Sequence, residues 1–109
     1  MKDWQGLIEK LRQFAKERDW DQFHNPKDLA LAISIEAAEL NELFLWKKPE
    51  DADAEKVKDE LADVFAYALQ LAAKYDLDVG QIVSEKIEQN SKKYPVDKAK
   101  GNARKYTEL

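Results

Sequence analysis

Four carboxylates occur as two pairs with the same spacing, and they are the side chains of this sequence that could bind a metal ion. Glu36 and Glu39 form the first pair, and Glu60 and Asp63 form the second. Residues three apart on a helix are neighbours on one surface. Carboxylate oxygens are the ligands that hard divalent cations prefer, and a bound cation offsets the repulsion among converging acids. The two pairs therefore indicate a candidate site for a divalent metal.

Helical periodicity places each pair beside an apolar stripe. At about 100° per residue, Glu36 and Glu39 lie about 60° and about 120° from Ile33, the centre of the stripe on their helix. The second pair flanks the stripe of the next helix in a similar way. Acidic pairs are also common on solvated helix faces, so the pattern by itself leaves a metal site and surface decoration open.

The composition limits both the fold and the cofactors. The chain has 109 residues, 44% hydrophobic and 37% charged, which predicts a single globular domain over 1–109. Three glycines and three prolines disfavour a many-turned β protein, so the predicted fold is all-α. With no cysteine and one histidine, the sequence excludes Cys-ligated zinc, iron–sulfur clusters and multi-His sites, leaving cations bound by oxygen.

Charge and hydropathy exclude further classes of partner. The net charge is −4, and no basic stripe occurs before the last quarter of the chain, so we expect no nucleic-acid partner. No apolar run approaches the roughly 20 residues that span a bilayer, and the first residues do not resemble a signal peptide. We therefore expect no membrane partner and a cytoplasmic location.

Capping residues and breaks divide the chain into helices. Asn25 followed by Pro26 predicts a helix start, Asp78 predicts another, and Pro95 ends the last long helix. The short connection between the second and third helices favours antiparallel packing, which would let the four carboxylates converge. The predicted segments are helices at about 4–18, 26–46, 53–75 and 79–93, followed by a basic arm or tail at 96–109.

Other residues could bind a polyphosphate substrate at a carboxylate-held metal. Lys86 flanks the apolar stripe of the fourth helix, and Asn90 lies one turn further. Aromatic side chains that could stack on a base or donate hydrogen bonds lie near the helix ends. They are Trp20, His24, Trp46 and Tyr67. Large aromatics in such places are also common as core or subunit contacts, and a lone histidine is often structural.

The segment from Glu36 to Trp46, read together with that from Asp59 to Tyr67, resembles the MazG-like all-α nucleotide pyrophosphohydrolases. The dCTP pyrophosphatase branch of that family is the most similar. The resemblance extends through 17–24, 86–95 and 104–109, and so covers nearly the whole chain. It implies a four-helix MazG-like bundle that assembles as a homodimer or homotetramer.

The resemblance also implies an activity and residue roles. The activity is Mg²⁺-dependent cleavage of a nucleoside triphosphate, dCTP or a modified dCTP, to the monophosphate and pyrophosphate, with Mn²⁺ as an alternative metal. The implied metal ligands are Glu36, Glu39, Glu60 and Asp63, of which Glu36 and Glu39 are candidates for activating water. The implied substrate-binding residues are Trp20, His24, Trp46, Tyr67, Lys86, Asn90 and Tyr94.

The chain departs from some relatives at Leu11, where they carry histidine, and this difference bears on base preference. Two other functions stay open at this point. The first is a non-catalytic helical module for oligomerisation or partner binding, which predicts no magnesium dependence. The second is the same chemistry on dUTP or another non-canonical nucleotide, which a panel of substrates would distinguish.

Overall fold

The computed structural model describes residues 4–109, which contain five α-helices and no strand. This confirms the all-α prediction. The helices are α1 (Trp4–Glu17), α2 (Pro26–Glu42), α3 (Ala54–Lys74), α4 (Val79–Lys93) and α5 (Val96–Ala99). Single 3-10 turns occur at Asp21–Phe23, Pro49–Asp51 and Tyr106–Glu108. The chain divides into two compact units, one through Leu77 and one from Asp78 to Leu109.

In the first unit, α3 packs mainly against α2 and also against α1. His24, just before α2, lies beside Tyr67 in the second half of α3, whereas Glu36 further along α2 lies near Glu60 in the first half. The helices α2 and α3 therefore run antiparallel. This arrangement brings the two acidic pairs to the same level, as the short connection predicted.

The core of this unit is small. Its buried apolar side chains are Ile8, Ala15, Leu29, Leu69 and Ala72. Leu29 is fully enclosed, whereas other large apolar side chains of α2 and α3 stay exposed, among them Ile35 and Phe65 at 59% and 51%. Burial of apolar area is the main favourable term in folding, so these exposed side chains contribute less to the stability of this unit than the buried ones do.

Side-chain caps explain why α2 and α3 begin where the sequence predicted. The Asn25 side chain accepts a hydrogen bond from the Asp28 N–H at 2.9 Å, and Pro26 occupies the first turn, where no N–H is needed. Asp53 Oδ1 accepts from the Glu55 N–H at 3.0 Å. Each cap satisfies a backbone donor that the first turn leaves without a partner.

The end of α2 differs from the prediction. The sequence predicts a helix to about Trp46, but α2 ends at Glu42. The N–H groups of Leu43, Phe44 and Leu45 donate to carbonyls three residues back, which tightens the chain into turns. Trp46 then adopts a φ of 60°, outside the right-handed helical region. The apolar run continues through this segment, which is why periodicity alone extended the helix too far.

The second unit contains α4, α5 and the last turn. The Asp78 side chain accepts from the Gln81 N–H at 2.9 Å, so the predicted cap is present, and α4 ends at Lys93. The segment 96–109 holds a short helix and a turn, and the Tyr94 and Tyr106 rings meet edge to face at 6.2 Å. The four-helix bundle stays a prediction, since α1–α3 and α4 belong to different units. None of the described helices combines the length and the apolar character needed to cross a membrane.

Candidate active site

Three of the four predicted metal ligands come together between α2 and α3. One carboxylate oxygen from each of Glu36, Glu60 and Asp63 lies within 4.8 Å of the other two. Glu36 projects from α2, and the other two project from α3, three residues apart and therefore on one face. The antiparallel pairing of the two helices thus creates an acidic cluster from residues distant in sequence.

Glu60 Oε2 is the clearest sign that this cluster is incomplete by itself. The atom is buried and has no hydrogen-bond partner in the part of the chain that the structure describes. A buried oxygen without a donor costs free energy, and a carboxylate is the group for which this cost is greatest. A cation placed among the three carboxylates would supply the missing interaction.

Mutual repulsion among the acids appears in their pKa values. A hydrogen bond with Glu39, together with burial and neighbouring negative charge, raises the pKa of Glu36 to about 7. Desolvation by burial, followed by the neighbouring carboxyl group of Glu39 and other negative charges, raises the pKa of Glu60. Glu39 therefore influences the protonation of both residues, although it is outside the group of three oxygens. Glu36 and Glu60 retain their protons to higher pH because no positive charge on the described residues offsets the repulsion among the neighbouring carboxylates.

The donor set defines which cation fits. All of the clustered atoms are carboxylate oxygens, and they come from half-buried or exposed side chains that leave room for water and substrate. Hard cations such as Mg²⁺, Mn²⁺ and Ca²⁺ prefer oxygen ligands. Mg²⁺ in particular is usually held by one or two carboxylates plus substrate phosphates. The residues present fit such an ion.

Tyr67 connects the acidic cluster to an aromatic region. Desolvation, then the negative charges of Glu36, Asp63 and Glu39, raises the pKa of the Tyr67 hydroxyl. The Tyr67 ring meets the His24 ring edge to face at 6.5 Å. The hydroxyl is therefore close to the carboxylates, while the ring belongs to the neighbouring aromatic group.

The aromatic side chains form a continuous row. Phe14 contacts Trp20 at 5.6 Å between ring centroids, and Trp20 contacts His24 at 6.4 Å, in both cases edge to face. Beside this row lies a cavity of about 230 Å³, which we call the aromatic cavity. It is lined by Leu11, Phe14, Trp20, His24, Asp63, Ala66, Tyr67 and Gln70. Because Asp63 belongs to both features, the cavity opens directly beside the acidic cluster.

The structure thus brings Trp20, His24 and Tyr67 together, as the sequence predicted for substrate-binding residues, and their roles stay predictions. Trp46 does not line the aromatic cavity, and its side chain is 94% exposed. Its predicted part in binding would require another surface to cover it.

The remaining predicted substrate-binding residues lie in the second unit. Lys86 is exposed on α4, and its Nζ donates to Gln89 Oε1 at 3.4 Å. Asn90 is half-buried on the same helix, and its carbonyl accepts from the Tyr94 N–H at 2.9 Å. The predicted contacts of Lys86, Asn90 and Tyr94 with phosphates stay predictions.

Sequence reasoning missed two residues of the aromatic cavity. Neither Phe14 nor Gln70 is among the substrate-binding residues that the sequence predicts, yet both line this cavity. A signal for Gln70 was present, because it follows Tyr67 by three residues and Asp63 by seven and therefore shares their face of α3. Leu11, noted for its departure from relatives, also lines this cavity.

Comparison with known proteins agrees with this site. The sequence model of the MazG-like family matches residues 31–109, which include all four acids. The chain belongs to the MazG-like family. This MazG-like chain is 41% identical over 105 residues to dCTP pyrophosphatase 1 of Bos taurus, and 41% identical over 107 residues to that of Homo sapiens. Each alignment covers 89% of this chain and 62% of the relative, so the chain spans less than two thirds of their length.

A solved structure supports the same assignment. A pyrophosphatase from Archaeoglobus fulgidus matches this MazG-like chain with a TM-score of 0.75 and 39% sequence identity. The match covers 84% of this chain and 91% of that protein. These findings confirm the family resemblance that the sequence motifs predicted.

Proposed function

We propose that this chain is a Mg²⁺-dependent nucleotide pyrophosphohydrolase that cleaves dCTP to dCMP and pyrophosphate. The observation that carries the proposal is the buried, unpartnered Glu60 Oε2 within a cluster of three carboxylates. The names of the relatives, dCTP pyrophosphatase 1 and pyrophosphatase, support the choice of reaction. We expect the enzyme to act in the cytoplasm, where free nucleotides and Mg²⁺ are available.

Glu36, Glu60 and Asp63 are the residues that would hold the metal. When bound, Mg²⁺ neutralises phosphate charge and polarises the phosphoryl group. The three carboxylates give up the protons that their mutual repulsion retains, since the cation supplies the missing positive charge. Their positions on two packed helices fix the site before substrate arrives, so little ordering is left to do on binding.

Glu39 is the residue we assign as general base. It lies beside Glu36 and Glu60 but outside the three clustered oxygens, and its side chain is exposed to water. Water attacks a phosphorus of the anhydride between the α and β phosphates, and its proton passes to a carboxylate oxygen of Glu39. The bridging P–O bond breaks, and dCMP and pyrophosphate separate. The attacked phosphorus keeps the oxygen of the water, and the other product keeps the bridging oxygen, so all atoms of the triphosphate and the water are conserved.

The aromatic cavity is the proposed site for the base and sugar. Trp20, His24 and Tyr67 offer ring surfaces and polar edges within a cavity that shares Asp63 with the metal site. Stacking on aromatic rings is tolerant of base identity. The cavity therefore supports nucleotide binding as a class. Lys86, Asn90 and Tyr94 are proposed, from the family resemblance, to contact the phosphates.

Self-association into a homodimer or homotetramer is part of the proposal. Exposed apolar side chains recur four apart on two helices: Leu31 and Ile35 on α2, and Leu61 and Phe65 on α3. Such continuous apolar surface is typical of interfaces between subunits. We expect Ile35→Glu to shift the sedimenting species to the monomer, whereas Glu42→Lys, an equally exposed change on the same helix, leaves the assembly intact.

The decisive experiment measures pyrophosphate release from the four common dNTPs and dUTP, with and without Mg²⁺. We expect release from dCTP that depends on Mg²⁺ and is lost in Glu60→Gln, which keeps size but removes charge. Exposed apolar surface by itself also fits a non-catalytic partner-binding module. That alternative predicts no release from any nucleotide and no effect of Mg²⁺ on thermal stability.

A further inference from the structure

Gln70 lies at the far end of the aromatic cavity from the acidic cluster. Asp63, Tyr67 and Gln70 line the cavity from one face of α3. With a rise of about 1.5 Å per residue, Gln70 lies about 10 Å beyond Asp63 along the helix axis. A nucleotide likewise has phosphates at one end and a base at the other. Phosphates near the metal ligands would thus direct the base towards Gln70.

The amide of Gln70 has a fixed orientation. Its Nε2 donates to the carbonyl oxygen of Ala66, one turn earlier, at 3.2 Å. A carbonyl can only accept, so the NH₂ group must face Ala66 and the oxygen must face away. Oε1 receives no hydrogen bond from any group in residues 4–109, and the side chain is part-buried. The site therefore presents an acceptor that no donor within these residues occupies and that solvent or a ligand can reach.

We infer that Gln70 is a specificity-determining residue that selects a base carrying an exocyclic amino group, and cytosine in particular. Oε1 accepts from the amino group at position 4, and the second N–H of Nε2 donates to the neighbouring ring nitrogen. A glutamine amide pairs with the amino group and adjacent ring nitrogen of adenine in the same bidentate manner. The inference rests on the proposed nucleotide function and names the base for that site.

Uracil is disfavoured for the same reason. It has an oxygen at position 4 and a proton on the ring nitrogen, so its donor and acceptor are exchanged relative to cytosine. To match uracil the amide would have to rotate, and Oε1 would then face the Ala66 carbonyl, two acceptors in contact. Leu11 and Ala66, which also line the cavity, add only apolar surface.

Adenine presents a similar donor and acceptor, so the orientation of the Gln70 amide selects an amino-bearing base over uracil or thymine. The choice of cytosine over adenine rests on the proposed function.

The test compares dCTP with the triphosphate of 2-pyrimidinone deoxyribonucleoside, which lacks only the 4-amino group. We expect the wild type to prefer dCTP in kcat/KM by about tenfold, the scale of one hydrogen bond, and to prefer dCTP over dUTP by at least as much. In Gln70→Leu, a substitution of similar volume, both ratios should fall to near one. Gln13→Leu is the control. Gln13 is exposed on α1 and does not line the aromatic cavity, so this variant should keep the wild-type ratios.

Binding of dCMP and dUMP, measured by calorimetry, separates this inference from the proposed reaction. Preserved turnover with unchanged ratios in Gln70→Leu would overturn the role of Gln70 and leave the hydrolase intact. Absence of turnover in the wild type, with dCMP binding that weakens in Gln70→Leu but not in Gln13→Leu, would support Gln70 and overturn the reaction. Equal binding of dCMP and dUMP by the wild type would overturn the inference. Circular dichroism verifies that each variant keeps its helical structure.

Discussion

Lys74 Nζ lies 3.1 Å from Asp21 Oδ1, an ion pair that joins the end of α3 to the segment between α1 and α2. That segment carries Trp20 and His24, which line the aromatic cavity. Both partners are partly exposed, so we expect Lys74→Met to lower the free energy of unfolding by at most about 1 kcal/mol. We expect a larger effect on function, a severalfold increase in the KM for dCTP, because the aromatic segment is less firmly positioned.

Lys58→Met provides the matched control for this variant. It removes the exposed pair between Lys58 and Glu55, 3.5 Å apart on the same helix and outside the aromatic cavity. Its KM should equal that of the wild type. Similar KM values for Lys58→Met and Lys74→Met would show that the ion pair does not position the aromatic segment.

Glu39→Gln tests the assignment of the general base. The substitution keeps size and hydrogen bonding but cannot take a proton from water, so we expect kcat to fall at least about 100-fold. The affinity for Mg²⁺, measured by calorimetry, should fall by a much smaller factor than kcat, because Glu39 is outside the three clustered oxygens. Glu42→Gln on the same helix is the control and should keep wild-type kcat. A Glu39→Gln enzyme with normal kcat would remove this residue from the reaction.

The acidic cluster should make stability depend on pH in a defined direction. The pKa of Glu36 is about 7 in the folded chain, above its ordinary value of 4.5. The folded state therefore binds this proton more tightly than the unfolded state does. The resulting stabilisation is complete below about pH 4.5 and is lost as the pH rises through about 7. We expect the Tm measured in EDTA to decrease over this range.

Mg²⁺ should counter that loss, since it takes the place of the retained proton. The increase in Tm on adding Mg²⁺ should be larger at about pH 8 than at about pH 5, in line with the raised pKa of Glu36. Glu36→Gln should raise the Tm in EDTA at the higher pH and reduce the response to Mg²⁺. A Tm in EDTA that rises with pH in the wild type, with no change in Glu36→Gln, would contradict the repulsion inferred for the cluster.

Trp20→Leu measures how much the aromatic row contributes to nucleotide binding. Contact between a base and an aromatic ring is worth about 1–3 kcal/mol, and we expect KM to rise about tenfold. Phe23→Leu is the control, because Phe23 belongs to the same segment, is 61% exposed and does not line the aromatic cavity. If the two variants have equal KM values, the nucleotide does not use this cavity.

Much of the site could be predicted because helical geometry is local. Capping residues such as Asn25 and Asp53 set where α2 and α3 begin, and the spacing of the acids then determines which face they occupy. Antiparallel packing of neighbouring helices then brings the two acidic faces together. The convergence of Glu36 with Glu60 follows from these rules without knowledge of the detailed packing.

Other features depend on contacts that spacing does not encode. The end of α2 lies within an apolar run, and only the hydrogen bonds of residues 43–45 reveal the change to tighter turns. The orientation of Gln70 depends on which group faces the Ala66 carbonyl, a detail of one side-chain torsion. Trp46 likewise combines a φ of 60° with a side chain that is 94% exposed, and residue spacing predicts neither.

The exposure of Trp46 makes its fluorescence sensitive to contact with another surface. A bulky residue in the left-handed region costs about 1–2 kcal/mol, and here the strained backbone holds an indole that is 94% exposed. An indole surrounded by water emits fluorescence at longer wavelength than one covered by apolar groups. The emission of Trp46 would therefore move to shorter wavelength when another surface covers it, and replacing Trp4 and Trp20 with phenylalanine would isolate this signal without any added label.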